Sequence, residues 1–82
     1  MNQAIQFPDR EEWDETGQVI CFPALANGLS LTCAIHSFAL QARFGQGEAM
    51  ALFKAHRWDL EEEAEKLIRN EQEDAQGWVW LS

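Results

Sequence analysis

The chain has 82 residues, 46% of them hydrophobic, and a net charge of -8 from 14 acidic and 6 basic side chains. This length fits one small domain, which we place at residues 1–82. The charge balance argues against nucleic-acid binding, because neutralising phosphates needs clustered lysine and arginine. No stretch approaches the roughly 18 apolar residues of a membrane span, and the first residues lack the basic and apolar regions of a secretory signal. We therefore expect a cytoplasmic protein with no direct nucleic-acid or membrane partner.

Charge is unevenly distributed along the chain. Residues 9–15 carry a net charge of -4 and residues 59–74 carry -6, whereas residues 43–58 carry +2. Residues 16–42 contain no Asp, Glu, Lys or Arg. This uncharged block is the expected structural centre of the protein.

Within the uncharged block, two predicted strands at residues 18–26 and 29–36 flank the pair Asn27-Gly28. Asn-Gly favours a two-residue type I′ turn because both residues tolerate positive φ, although a three-residue loop ending in glycine is also compatible. In the two-residue register Pro23 falls at a non-hydrogen-bonded pair, where its missing N–H faces away from the partner strand. We therefore predict the two-residue register, with residues 18–26 as an edge strand.

The choice of register also decides how the two cysteines relate. The two-residue register places Cys21 and Cys33 on opposite faces of the sheet, whereas the three-residue loop would set them opposite each other. We predict two free thiols and no disulfide. Their spacing matches no common zinc motif, so neither a metal nor another cofactor is expected.

Short elements are expected at both ends of the chain. Residues 3–7 form a predicted strand, after which Asp9 and Glu12 are expected to cap a single turn that carries Trp13. At the other end, residues 78–81 alternate as a closing strand.

Helical periodicity follows the hairpin, and capping residues mark where helices begin. Ser37 is expected to cap the first helix, and Asp59 with Glu62 resembles a capping box for the third. The predicted helices lie at about residues 38–44, 48–57 and 60–73. Together the elements predict an α+β fold: a small, mainly antiparallel sheet of about four strands with three helices packed on one face. The helix-covered face is expected to carry Ile20, Phe22, Leu31, Cys33 and Ile35.

Candidates for chemistry are few. Cys33 and His36 look like a ligand pair, but an odd offset in a strand sends them to opposite faces. In the predicted register His36 lies diagonal to Cys21, which makes these two residues weak candidates for thiol or metal chemistry. The hairpin holds no carboxylate to orient the imidazole, and no phosphate-binding loop or hydrolase motif occurs. We therefore expect a protein without catalytic residues.

Aromatic residues are more suggestive, since four Trp and five Phe exceed what a small core can hide. Trp78 and Trp80 share one face of the last strand while Val79 and Leu81 share the other, so both faces are apolar. Either the sheet is covered on both sides, with Trp13 contributing, or one side binds a partner. Because Trp is enriched at interface hot spots, the candidate partner-binding residues are Trp13, Trp78 and Trp80.

A set of distinctive residues is spread along nearly the whole chain: Phe7-Pro8, Trp13, Phe22-Pro23-Ala24, Gly28, Cys33, Ser37, Leu40, Phe44-Gly45 and Arg57. This pattern resembles the short, uncharacterised proteins of Gram-negative bacteria grouped as domain of unknown function fourteen-eighty-eight. The motifs are structural in type and specific to no chemistry. The resemblance implies an α+β fold of a small sheet with helices, and it supplies no catalytic or binding residue.

Three functional hypotheses follow. The leading one is a small interaction or accessory module without catalysis, which binds a protein partner or a second copy of itself. One alternative is an acidic antagonist or nucleic-acid mimic that holds a basic protein through residues 61–65 and 9–15. The other is a small thiol-dependent enzyme or metal binder that uses Cys21 and His36.

Overall fold

The computed structural model describes residues 5–82, which form four strands and three helices. The strands are β1 (Glu12–Asp14), β2 (Val19–Ala26), β3 (Leu29–His36) and β4 (Trp78–Leu81), and the helices are α1 (Ser37–Phe44), α2 (Ala49–Ala55) and α3 (Arg57–Arg69). The sheet has the order β1-β2-β3-β4, with antiparallel pairing up to β3 and parallel pairing between β3 and β4. The predicted α+β class is confirmed. Across residues 5–82, no helix has the length and apolar character needed to cross a membrane.

The hairpin of β2 and β3 adopts the predicted two-residue register. Asn27 and Gly28 have φ angles of 54° and 81°, the positive values that a type I′ turn requires. Ala26 pairs with Leu29, and Pro23 pairs with Thr32. The register places the two thiols on opposite faces, and both cysteines are free.

One face of the sheet and all three helices build the core. Phe22 on β2 packs against Phe53 on α2, with ring centroids 5.0 Å apart. The helices contribute small and aliphatic side chains, of which Leu40 and Leu60 are completely buried. The predicted helix-covered face is confirmed, and its buried members are Ile20, Phe22, Ala24, Ala26, Leu31, Cys33, Ile35, Val79 and Leu81.

The predicted strand at residues 3–7 is largely wrong. Residues 3 and 4 lie outside the described part of the chain, and of residues 5–7 only Gln6 pairs with the sheet. The Gln6 N–H donates to the Leu25 carbonyl at 3.0 Å, and the Leu25 N–H donates back at 2.8 Å. Two residues before Leu25 on β2, Pro23 has no N–H to offer on this outer side, so the N-terminal segment leaves the sheet until β1 begins.

The predicted turn around Trp13 is also wrong, because these residues form β1. Trp13 pairs with Ile20, between the pairs of Glu12 with Cys21 and Asp14 with Val19. Three residues therefore add an edge strand that the capping pattern did not predict.

Both predicted N-terminal caps differ in the structure. Ser37 is the first residue of α1, so the N-cap position falls to His36, which makes no side-chain capping bond. The Ser37 N–H donates to the Gln18 carbonyl at 2.9 Å and so extends the hairpin. α3 begins at Arg57, before Asp59, because a single non-helical residue, His56, separates it from α2. Asp59 thus lies in the first turn, where a carboxylate interacts favourably with the helix dipole.

α3 also ends earlier than predicted, at Arg69 rather than residue 73. Glu71 has a φ of 56°, a left-handed conformation that stops the helix. The remaining acidic residues form a loop that returns the chain to β4.

Arg57, at the start of α3, joins the N-terminal segment to the helices. Its guanidinium pairs with Glu11, lies 3.2 Å from an Asp9 carboxylate oxygen and 3.5 Å from one of Glu61, and stacks over the Phe53 ring. Only 18% of the Arg57 side chain is exposed. One largely buried guanidinium therefore forms ion pairs with three carboxylates.

We expect Gly28→Ala to lower the free energy of unfolding by about 1 kcal/mol, measured by urea denaturation. The reason is conformational, because an added Cβ would meet no atom within 4 Å while φ stays at 81°. Ser30→Ala, an exposed change close to the turn, is the control and should stay within about 0.5 kcal/mol. A loss above about 3 kcal/mol for the glycine variant would contradict this account.

Replacing Arg57 with alanine should cost about 2 kcal/mol of unfolding free energy, since it leaves partly buried carboxylates without their cation. Arg69→Ala is the matched control. Its pair with Glu65 is 50% and 39% exposed and should contribute about 0.5 kcal/mol or less. Equal losses for the two variants would show that Arg57 has no special structural role.

The pH dependence of stability should report on Glu11. Burial opposes its ionisation, but its own backbone N–H and the Arg57 guanidinium outweigh burial and lower the pKa of this carboxyl. The stabilisation is therefore present above the pKa of the unfolded chain, about 4.3, and is lost as the pH falls through the lower folded-state value.

Wild-type protein should thus lose stability more steeply than Glu11→Gln between about pH 5 and pH 3 in urea titrations. Glu61, whose pKa is raised mainly by burial, is retained in both proteins. Parallel curves for the two proteins would contradict the assignment.

Candidate functional site

The sheet face opposite the helices, which we call the open face, carries the alternate side chains of the strands. One row across it joins Glu12, Cys21, Ala34 and Trp80. The neighbouring rows join Pro23, Thr32 and Trp78 on one side and Asp14, Val19 and His36 on the other. These residues are absent from the helix-packed core, but Ala34 and Val19 are buried on this face as well. What the face offers to solvent or to a partner is its half-buried side chains together with the exposed Glu12, Asp14 and Trp80.

Four aromatic rings stand in a stack on the open face, and we call them the aromatic ladder. Trp78 and Trp80 have centroids 5.4 Å apart, Trp80 and His36 are 5.2 Å apart, and His36 and Phe38 are 4.9 Å apart. The planes of neighbouring rings differ by only 28°, 17° and 12°. Trp80 is 44% exposed and Phe38 is 69% exposed. The ladder is therefore an ordered apolar surface that protein atoms leave partly uncovered.

The structure separates the three predicted tryptophans. Trp78 and Trp80 lie together in the ladder, whereas Trp13 lies on the helix-covered side, because it pairs with Ile20. The Trp13 indole N–H donates to a Glu15 carboxylate oxygen at 2.7 Å. Trp13 therefore contributes nothing to the open face.

Sequence reasoning missed two exposed aromatic residues. Phe38 was assigned only to a helix, although its spacing of two from His36 repeats the spacing of Trp78 and Trp80. Trp58 is 85% exposed on α3. It lies two residues before the buried Leu60, which places it on the opposite side of the helix.

Cys21 lies in a shallow groove of about 260 Å³ on the open face, lined by Arg10, Glu12, Cys21, Phe22, Pro23 and Thr32. Burial raises the pKa of its thiol, and the nearby carboxylates of Asp14 and Glu12 raise it further. His36 is held in the ladder between Phe38 and Trp80. Although Arg10 lines the same groove, burial and the two carboxylates dominate at the thiol, and the reactive thiolate is disfavoured.

Cys33, on the other face, is inaccessible. It is completely buried in the core, and burial raises its pKa to about 12. Among residues 5–82, no three His, Cys, Asp or Glu side chains are grouped so that they could hold a metal ion.

The loop before β4 secures the ladder. The Trp78 N–H donates to an Asp74 carboxylate oxygen at 2.9 Å, and the Asp74 N–H donates to the Trp78 carbonyl at 2.8 Å. The same carboxylate accepts the Gln76 N–H at 2.9 Å. The Trp78 amide is the main reason that the pKa of Asp74 is lowered. Asp74 thus fixes β4 and occupies its outer edge at Trp78.

Most of the acidic helix is engaged within the chain. Glu61, Glu63 and Glu65 pair with Arg57, Arg43 and Arg69 at 3.5, 2.5 and 2.6 Å. Arg43 also donates to the Ser82 carbonyl at 2.9 Å, which ties α1 and α3 to the end of β4. The α3 carboxylates therefore contribute to the fold.

Comparison with known proteins agrees with this architecture. The family model "Protein of unknown function (DUF1488)" matches residues 5–81. The chain is 62% identical to the uncharacterized protein YrdB of Escherichia coli (strain K12) and 61% identical to that of Shigella flexneri, each over 85 residues and 99% of both chains. A crystal structure of a DUF1488 family protein of unknown function from Shewanella loihica PV-4 is 36% identical, with a TM-score of 0.86 over 99% of this chain and 94% of that one. The resemblance seen in the sequence is confirmed, and the chain belongs to the DUF1488 family.

Proposed function

We propose that the protein is a small cytoplasmic interaction module without catalysis, which binds a protein partner on the open face of its sheet. The observation that carries the proposal is the aromatic ladder of Trp78, Trp80, His36 and Phe38. Ordered aromatic rings supply a large contact area at little cost in conformational entropy, which is why Trp is enriched at interface hot spots.

The ladder is also held in place before any partner arrives. Asp74 fixes the backbone of Trp78 from the outer edge, and β3 holds β4 from the other side through the pairs of Ala34 with Trp80 and Thr32 with Trp78. The stacked rings restrict one another further. A surface that is already ordered loses little entropy on binding, which favours association.

The acidic-antagonist hypothesis has weaker support. A mimic of nucleic acid needs free carboxylates spaced along a surface, yet Glu61, Glu63 and Glu65 pair with arginines of the same chain. Glu11 in the N-terminal cluster is likewise paired, with Arg57. These four carboxylates are used within the fold, whereas Glu12 and Asp14 of the N-terminal cluster stay exposed.

The thiol hypothesis meets a chemical difficulty. Burial and two nearby carboxylates raise the pKa of Cys21, so the thiolate that acts as nucleophile or metal ligand is disfavoured at neutral pH. His36, the expected partner of the thiol, stacks between Phe38 and Trp80.

The proposal is tested by affinity capture from bacterial lysate with wild-type protein and with the double variant Trp80→Ala, Phe38→Ala. Both residues are substantially exposed, so the variant should fold, as circular dichroism and urea denaturation can verify. Specific proteins captured by the wild type should fall at least tenfold in the variant, since hot-spot truncations cost about 2 kcal/mol or more each.

Trp58→Ala is the matched control for this capture. It removes an aromatic side chain that is 85% exposed on α3, away from the ladder, and should leave the captured set unchanged. If the ladder variant captures the same proteins in the same amounts as the wild type, the open face is not the binding surface and the proposal is wrong.

A further inference from the structure

We infer that the occupant of the open face is a basic segment of another protein, whose arginine or lysine side chains contact Trp78 and Trp80. This inference rests on the proposed function and adds the chemistry of the partner. It follows from the charge at the rim of the open face, from the state of the sheet edges and from the size of the face.

The rim of the open face is acidic. Glu12 and Asp14 on β1 share the face with Cys21 and Val19, and both are exposed. At the other side of the sheet, Asp74 lies against β4 and is held ionised by the Trp78 amide. A cationic segment lying across the sheet would therefore meet carboxylates at both margins.

Few basic side chains counter the negative charge of this rim. Arg10 is the one basic side chain among those that line the groove on the open face. Arg43, Arg57 and Arg69 are engaged with carboxylates of α3 and the N-terminal segment. Lysines occur only at Lys54 and Lys66, on α2 and α3.

The tryptophans supply the second half of the recognition. Arginine guanidinium and lysine ammonium groups are attracted to aromatic faces, and tryptophan is the best of these partners. Trp80 is 44% exposed, and its row continues through the buried Ala34 on β3 to Cys21 on β2 and Glu12 on β1. Since β1 and β4 are about 14 Å apart, a segment lying across this row would place one cationic side chain over the Trp80 ring and another beside the Glu12 carboxylate.

The partner does not bind by adding a strand. In the parallel pairing, Trp78 directs its N–H and carbonyl away from β3, and Asp74 already bonds both. At the opposite edge, β1 has only three residues, two of which are acidic. Trp80 is then the one residue within β4 whose outward N–H and carbonyl stay open, so both edges offer only short templates for β-augmentation.

A second copy of the chain fits the open face badly. Eight-residue strands span about 26 Å and four strands about 14 Å, so each copy offers roughly 400 Å² and a face-to-face dimer buries roughly 800 Å², below the usual 1,200–2,000 Å². Such a dimer would also place the acidic rims of both copies against each other. A partner of opposite charge avoids this repulsion.

The test uses a synthetic peptide of about twelve alternating arginine and serine residues, with lysine and glutamate versions of the same length. Binding is followed by the indole N–H signals of ¹⁵N-labelled protein, which resolve each tryptophan. The arginine and lysine peptides should shift Trp78 and Trp80, and the glutamate peptide should shift neither. Trp58 and Trp13 lie off the open face and act as internal references.

Charge variants test the rim. The double change Glu12→Gln, Asp14→Asn should raise the dissociation constant of the arginine peptide about fivefold, as expected when two exposed carboxylates are lost. Glu48→Gln, Glu62→Gln removes the same charge from exposed positions on the helical side and should change it less than about twofold.

Three results would overturn the inference: equal weakening by both double variants, equal shifts of all the indoles, or binding of the glutamate peptide. Protein-concentration-dependent shifts of Trp78 and Trp80 without peptide, with a dimer in sedimentation equilibrium, would identify a second copy as the occupant instead. If lysate capture requires the ladder but the basic peptides leave Trp78 and Trp80 unshifted, this inference fails while the proposed function stands.

Discussion

The positive φ angles of Asn27 and Gly28 fold β2 back on β3 with Ala26 opposite Leu29, and the other pairs of the hairpin follow in step. Because side chains alternate along a strand, a shift of one residue would send Phe22 and its neighbours to the open face. That shift would also place Cys21 directly opposite Cys33. The location of the core, the direction of the helices and the position of the ladder all depend on this register.

The hairpin was predictable because its signals are local. Asn-Gly, the alternation of apolar residues and the missing N–H of Pro23 all act within a few residues. The split N-terminal segment was not predictable in this way. Whether residues 12–14 form a turn or a strand depends on what the outer edge of β2 offers, and residues 9–11 are held by Arg57, 46 positions further along the chain than Glu11.

The candidate site shows the same division between local and distant information. Trp78 and Trp80 were recognised as sharing a face, since their spacing alone places them there. The sequence does not say that β4 pairs in parallel with β3, and only that pairing brings Trp80 against His36 and extends the ladder to Phe38. The position of Trp13 was mispredicted for the same reason, since its face is decided by the pairing with Ile20, while its role in partner binding stays a prediction.

Because β3 and β4 are far apart in the chain, we expect their parallel pairing to form after the hairpin of β2 and β3. The hairpin closes over two residues, whereas Thr32 meets Trp78 only after residues 33–77 have been folded back, and a longer loop costs more closure entropy. The aromatic ladder takes rings from both sides of that late contact. A molecule that has formed its hairpin and helices but has not docked β4 therefore has no ladder, and a protein that recognises all four rings distinguishes the completed fold from its partly folded forms.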